Sequence, residues 1–214
     1  MNSNVLEKHT MRYILLAAFV AAIAITFVVA LPQPARANQI TVPTVPDNLQ
    51  VADDARVYLV GHAIGTQNYI CLPTSSGVAY SLFTPQATLA DDNKNQIITH
   101  FFSVNPDPKD GRILPTWVSS QDTSTVWAAL APDGASTDAK FVEKGAIAWL
   151  LLNVVNHQDG PNGGAKLSST TQIQRLNTHG GVAPSTGCAS TTDIGNKAFV
   201  PYTADYFFYK KGSN

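Results

Sequence analysis

The chain has 214 residues, of which 44% are hydrophobic and 14% are charged, and its formal net charge is −1 at pH 7. This length is enough for one domain with a sizeable core. The near-neutral charge, without clusters of Lys and Arg, argues against nucleic acid and anionic membrane surfaces as partners.

The first 37 residues have the pattern of a secretory signal peptide. Lys8 and Arg12 provide a positive start, residues 13–31 are almost wholly apolar, and Ala35-Arg36-Ala37 is a small-x-small cleavage site. An uncleaved anchor is the alternative, because the apolar run is long enough to span a bilayer. We predict a signal peptide at 1–37, a single β domain at 38–214, a secreted or periplasmic location, and no membrane association after cleavage.

Short β-strands separated by turns dominate the rest of the chain. Alternating or fully apolar runs bounded by Gly, Pro, Asn and Asp predict strands rather than helices. A helix is also compatible with 124–131 and with 146–155, but the Gly-rich turn after the second segment favours a strand there. We expect 78–83 to be buried on both faces. The predicted strands are 56–62, 68–72, 78–83, 97–104, 124–131, 146–155, 170–176 and 199–209, and 113–119 leads out of a turn at 105–111.

These segments predict an all-β fold, namely a single-domain sandwich or barrel of about eight short antiparallel strands. The chain has two cysteines, Cys71 and Cys188. In an exported protein they most simply form one disulfide, and two free thiols are the alternative.

The segment 61–71, Gly-His-Ala-Ile-Gly-Thr-Gln-Asn-Tyr-Ile-Cys, is the richest in side chains that can bind a ligand. Gly65 should interrupt the strand, so we expect a turn here. Gln67, Asn68 and Tyr69, with Asp122 from another loop, would then contact a small molecule or a glycan, because amides fix orientation while aromatic faces pack. Alternatively, these side chains only satisfy turn backbone. The leading hypothesis is an exported binding protein.

Two histidines support a second hypothesis, namely a metal-dependent enzyme, with redox chemistry as one option. His62 and His100 alternate with apolar residues, so both are expected to point inward. Two inward imidazoles on neighbouring strands can bind a transition metal, with His157, His179 or Asp122 as third ligand. The alternative is that each is a core histidine paired with a backbone carbonyl. No other cofactor is indicated.

A third hypothesis is a structural envelope or surface protein whose aromatic C-terminal strand, 199–209, pairs with a partner. The chain contains neither a Gly-x-Ser-x-Gly nucleophile elbow nor a Gly-x-Gly-x-x-Gly dinucleotide fingerprint. No motif therefore requires an enzyme.

Several longer motifs, spread over nearly all of 38–214, also carry a family resemblance. They are Gly61-His62-Ala63, Gly65-Thr66-Gln67-Asn68-Tyr69 with Cys71, Pro85-Gln86-Ala87-Thr88-Leu89, Thr99-His100-Phe101-Phe102-Ser103, Asp122-Thr123-Ser124-Thr125-Val126-Trp127, Trp149-Leu150-Leu151-Leu152, Gln174-Arg175, Asn177-Thr178, Gly180-Gly181, Gly187-Cys188 and Pro201-Tyr202-Thr203-Ala204-Asp205-Tyr206-Phe207-Phe208. In these the chain resembles the secreted domain-of-unknown-function family 3455. The resemblance implies a small, exported, mostly β protein and assigns no catalytic residue. Ala148 departs from the family, in which we expect proline.

Overall fold

The computed structural model describes residues 39–212, and the predicted signal peptide at 1–37 lies outside them. Almost all regular structure in the described part is β. Two single-turn 3₁₀ helices, Asp47–Leu49 and Thr191–Asp193, accompany the strands. The strands are β1 (Ala55–Thr74), β2 (Gly77–Ala90), β3 (Gln96–Val104), β4 (Ile113–Ser119), β5 (Thr125–Ser136), β6 (Trp149–Gln158), β7 (Thr170–Gly180) and β8 (Lys197–Lys211).

Each strand pairs antiparallel with the next along the chain, and β8 pairs with β1 to close the barrel. The predicted all-β antiparallel fold is confirmed, with the barrel as the architecture. Because successive strands run in opposite directions, the loops after β2, β4 and β6 lie at one end, called the closed end below. The loops after β1, β3, β5 and β7 lie at the other, called the open end.

The predicted disulfide is also confirmed. Cys71 and Cys188 are bonded, with their Cα atoms 5.5 Å apart and 117 residues apart in sequence. Cys71 lies near the end of β1, and Cys188 lies in the loop between β7 and β8. The backbone of Cys71 additionally accepts a hydrogen bond from Gly195 N–H and donates one to the Asn196 carbonyl. The disulfide therefore anchors the long loop between β7 and β8 to β1 at the open end.

The expected turn at 61–71 is wrong, because β1 continues through it without a break. A Cβ on Gly65 would lie 2.1 Å from the Gln86 carbonyl oxygen and 2.6 Å from the Ala87 Cα. The glycine thus permits close approach of β2 instead of ending the strand. The predicted strands 56–62 and 68–72 are one strand, bent by a bulge between Asn68 and Tyr69.

The expected burial of 78–83 on both faces is also wrong. β2 pairs with β3 only from Gln86 onward, so its first half pairs with β1 alone and projects beyond β3. Within residues 39–212 no second sheet covers this hairpin, and Leu82 and Phe83 are exposed.

Segments buried on both faces lie instead in the first part of β6, at 149–152, and near the end of β8, at 206–209. Their inward side chains, such as Leu152 and Phe208, belong to the lumen core. Their outward side chains, such as Leu151 and Phe207, pack under the N-terminal segment 39–54, which contributes the fully buried Leu49. This double burial explains the continuous apolar runs in both strands. Because β8 pairs with β1 and β7, it has no free edge along most of its length for a partner strand.

Candidate functional site

The lumen is filled at its closed end and contains a cavity of about 130 Å³ toward its open end. The volume is similar to that of an engineered cavity of ~150 Å³ that holds benzene. Eight-stranded barrels are just wide enough to be filled by side chains or to hold one small ligand. The cavity is partly open to solvent, and Leu82, one of its lining residues, is 41% exposed. Its apolar wall includes Leu82, Pro85, Phe102, Leu150 and Leu152.

Two polar side chains on the cavity wall have hydrogen-bonding atoms without a partner. Among residues 39–212 neither amide atom of Gln67 nor the indole N–H of Trp117 has a hydrogen-bond partner, although each residue is only 1% exposed. Leaving a buried polar group unpaired costs about 1–3 kcal/mol. A ligand with polar atoms would satisfy these groups, so the cavity combines an apolar wall with specific points of recognition.

His100 lies beside Trp117 in the lumen and stacks on its ring, with the ring centroids 4.3 Å apart. Its Nδ1 is 2.9 Å from the Thr116 carbonyl oxygen, which can only accept, so Nδ1 carries the proton. Burial lowers the pKa of His100 to about 3, so the ring is neutral. In that tautomer Nε2 is a hydrogen-bond acceptor at the cavity wall.

Arg175 supplies the charge of the cavity. It lies on β7, two residues after the inward-facing Ile173, and is the one ionised side chain among the cavity-lining residues. Its Nε and Nη2 donate to the Ala148 carbonyl at 3.2 and 2.8 Å. Within residues 39–212 no carboxylate lies within ion-pair distance of it.

Two tyrosines complete the polar part of the lumen. The hydroxyls of Tyr202 and Tyr206 are 3.2 Å apart, and Tyr206 lines the cavity. Burial raises the pKa of both phenols. At Tyr206 the nearby Arg175 charge and hydrogen bonds from Tyr202 and Arg175 act in the opposite direction. Both phenols therefore stay protonated at neutral pH and can donate a hydrogen bond.

The structure does not bring the four predicted ligand contacts together. Gln67 faces the lumen cavity, whereas Asn68 is buried with an unpaired Oδ1, and the Tyr69 hydroxyl donates to the Gly181 carbonyl at 2.7 Å. Asp122 lies in the loop after β4, at the closed end, whereas Tyr69 lies toward the open end. A single site at 61–71 joined by Asp122 is therefore not formed.

Asp122 holds two loops of the closed end together. Its carboxylate accepts hydrogen bonds from Ser124 N–H and Oγ and from Lys166 N–H, at 2.7 to 3.1 Å. Desolvation acts to raise its pKa, but these hydrogen bonds and one from Ser119 outweigh it and lower the pKa to about 2. This residue acts as turn chemistry predicts, in agreement with the alternative considered from sequence.

His62 and His100 lie on opposite faces of the barrel wall. Gly65, Ala87 and His100 are cross-strand neighbours that face the lumen, and His62 is three residues from Gly65 and hence on the outer face. The inward orientation expected for His62 is therefore wrong, and the two rings do not meet. Among residues 39–212 no group of three or more His, Cys, Asp or Glu side chains could hold a metal ion.

His62 is instead bound between two carboxylates on the surface. Its Nδ1 is 2.6 Å from Asp205 Oδ1 and its Nε2 is 3.0 Å from Asp92 Oδ1. Partial burial acts to lower the pKa of His62, but the hydrogen bonds and charges of these carboxylates outweigh it and raise the pKa. The other ligand candidates, His157 and His179, are exposed, and His179 pairs with Glu143.

A second, wider cavity of about 380 Å³ lies outside the barrel, between the N-terminal segment and the strands β1, β7 and β8. Its buried polar group is Gln174, whose amide donates to the Leu49 carbonyl and accepts from the Tyr209 hydroxyl. Unlike Gln67, this glutamine is fully engaged within the protein. Among the described residues, this second cavity therefore lacks the buried, unpaired polar groups that make the lumen the better candidate for a binding site.

Sequence reasoning missed Arg175 and Tyr206 as site residues. The alternation of strands contained the signal, because Arg175 shares a face with the apolar Ile173 and Tyr206 with Phe208. A charged residue on the apolar face of a strand is therefore a candidate site residue, as His100 was.

The described chain is thus an eight-stranded up-and-down β-barrel with a ligand-sized, mainly apolar cavity in its lumen. A family model described as Protein of unknown function (DUF3455) matches residues 52–210. The chain belongs to this family, as the sequence motifs predicted. No curated protein and no solved structure gives a significant match to the chain.

Two further observations concern the compartment. The Cys71–Cys188 disulfide indicates an oxidising environment, such as the extracellular space or the periplasm. Within residues 39–212 no helix has the length and apolar character needed to cross a membrane.

Proposed function

We propose that the protein is an exported binding protein that holds one small, mainly apolar molecule in its barrel lumen. The observation that carries the proposal is the cavity at the open end, where unpaired atoms of Gln67 and Trp117 face an otherwise apolar wall. Export is supported by the disulfide and by the predicted signal peptide at 1–37.

The lumen replaces the segment 61–71 as the proposed binding site, and only Gln67 of the predicted ligand contacts belongs to it. The mainly apolar wall and the small volume favour a ring-sized molecule over a glycan, whose many hydroxyls need polar partners. A transition-metal enzyme that uses His62 and His100 together is not supported, because the two rings lie on opposite faces of the wall.

Side-chain NMR signals test the binding proposal directly. We expect benzyl alcohol, benzamide or benzoate to shift the Gln67 amide and the Trp117 indole N–H. The indole N–H of Trp149, which is also buried and unpaired but lies in the outer cluster, is the internal control and should not move. If none of these ring-sized probes shifts the lumen signals, the proposal is wrong.

A variant that fills the cavity gives a second test. Leu150→Trp places a larger side chain at the cavity wall and should abolish the shifts. Leu130→Trp is the matched control, because Leu130 is 53% exposed on β5 and does not line the cavity. Binding that survives in Leu150→Trp would place the ligand elsewhere on the protein.

A further inference from the structure

We infer that the lumen ligand is a small apolar carboxylate, aromatic or branched, whose acid group pairs with Arg175. This inference rests on the proposed function and goes beyond it by naming the ligand class. It starts from the charge of the cavity wall, which contains one ionised cation, Arg175, and no carboxylate.

The guanidinium of Arg175 has capacity left for a ligand. An arginine has five N–H donors. Two of its nitrogens, Nε and Nη2, donate to the single carbonyl of Ala148, and among residues 39–212 it has no carboxylate partner. A partly buried cation without a counter-ion is costly, and a carboxylate offsets that cost because the planar fork matches its two oxygens.

The neighbouring polar groups also suit an acid. The Trp117 indole N–H can only donate, the Gln67 amide has an unpaired donor, and the Tyr206 phenol carries its proton. His100 is neutral, so it adds no charge to the cavity wall, and its Nε2 remains an acceptor there. The lumen therefore offers several hydrogen-bond donors around one positive charge, which is the environment that a carboxylate requires.

The rest of the cavity determines the size and polarity of the remaining part of the ligand. Its volume of about 130 Å³ accommodates a group of roughly benzene size. Leu152 and Phe102 present apolar surface there, which a hydrated inorganic anion cannot use. The combination excludes free phosphate and favours a carboxylate attached to a ring or a short branched chain.

Benzoate and its neutral isostere benzamide test the inference in the folded, disulfide-bonded protein. By calorimetric titration we expect benzoate to bind about ten- to a hundred-fold more tightly than benzamide, as for a hydrogen bond to a charged group. High salt should weaken benzoate binding and leave benzamide binding nearly unchanged. Inorganic phosphate should not compete with benzoate.

Variants of arginine locate the effect. Arg175→Met should remove the preference for benzoate while benzamide still binds. Arg56→Met is the matched control, since Arg56 also donates to backbone carbonyls but lies outside the cavity at the start of β1. Arg175→Lys keeps the charge without the fork and should retain part of the preference, which gives a second variant should Arg175→Met fold poorly.

The outcomes separate the inference from the proposed function. Equal affinity for benzoate and benzamide in the wild-type protein would overturn the carboxylate, and a preference that survives Arg175→Met would overturn its pairing with Arg175. In both cases the binding lumen stands. Competition by inorganic phosphate would overturn the apolar body of the ligand. Absence of binding by every probe, with no shift of the Gln67 or Trp117 signals, would count against both.

Discussion

The two halves of the lumen are built by the same eight strands but are filled differently. At the closed end, Leu89, Ile98, Leu167 and Phe208 are fully or almost fully buried and make a continuous apolar core. At the open end the wall carries polar atoms around a cavity, and Gln67 has no partner for its amide. We therefore expect stability and the proposed binding to depend on opposite ends of the barrel, so that changes at each end have different consequences.

The largest effect is expected from removal of the disulfide that anchors the loop at the open end. Replacing Cys71 and Cys188 together by Ala should lower the free energy of unfolding by about 4–5 kcal/mol in the chain-entropy model for a loop of this length. Denaturant unfolding with and without reductant measures it. The Ala variant should not respond to reductant, and a wild-type stability that reductant leaves unchanged would contradict the prediction.

The next largest effect should come from the closed end. Leu167, in the loop between β6 and β7, is fully buried in the lumen core. Leu167→Ala should cost about 2–5 kcal/mol, because a cavity replaces the packed side chain. The affinity for lumen probes should stay unchanged. The exposed Leu130→Ala is the control and should lie within about 0.5 kcal/mol of wild type. A loss of ligand affinity in Leu167→Ala would show that the two ends are coupled.

Two glutamines allow a hydrogen-bonded and an unbonded side-chain amide to be compared at equal burial. Gln67 and Gln174 are each 1% exposed, but only Gln174 has hydrogen-bond partners. Gln67→Met should raise the free energy of unfolding by about 1–2 kcal/mol, because it removes an unpaired buried amide. Gln174→Met should lower it by a similar amount, because the Leu49 carbonyl and the Tyr209 hydroxyl lose a partner.

Thermal or denaturant unfolding without added ligand decides this comparison. A Gln67→Met variant that is less stable than wild type would show that the amide is engaged in the free protein. If Gln67→Met gains stability and loses affinity for benzoate, the amide is present for binding at the expense of stability, as is common at functional sites.

The closed end and the barrel wall were easier to predict than the open end. Alternation and turn residues predicted the strands, and two cysteines in an exported chain predicted the disulfide. The course of β1 was missed because a glycine can either break a strand or allow two strands to meet closely. At Gly65 the choice depends on Gln86 and Ala87, which are about twenty residues away. Local patterns do not contain that contact.

The orientation of His62 was missed for a similar reason. Both histidines alternate with apolar residues, but at His62 the inward positions on either side are Gly61 and Ala63. Gly61 and Ala63 are less hydrophobic than Val60 and Ile64, which occupy the outward positions. The sequence pattern therefore makes the outward face look like the core face. Small size, rather than hydrophobicity, marks the inward positions Gly61 and Ala63, because a Cβ on Gly61 would collide with the buried Leu89 of β2.

The smallest effect is expected outside the lumen, at His62. Asp92 and Asp205 raise the pKa of this histidine above its ordinary value of 6.5. Protonated His62 therefore contributes stability that is fully present below about pH 6.5 and is lost as the pH rises through the raised value. The ring is 36% exposed, so solvent screening limits the contribution to below about 1 kcal/mol.

His62→Gln should consequently destabilise the protein more at about pH 5.5 than at about pH 9. The exposed His157→Gln, which removes a histidine without a carboxylate partner within the described residues, is the matched control. Urea unfolding of both variants and wild type at the two pH values measures the effect. A larger loss of stability at high pH would mean that the protein stabilises the neutral ring of His62. The two carboxylates would then not stabilise its protonated form.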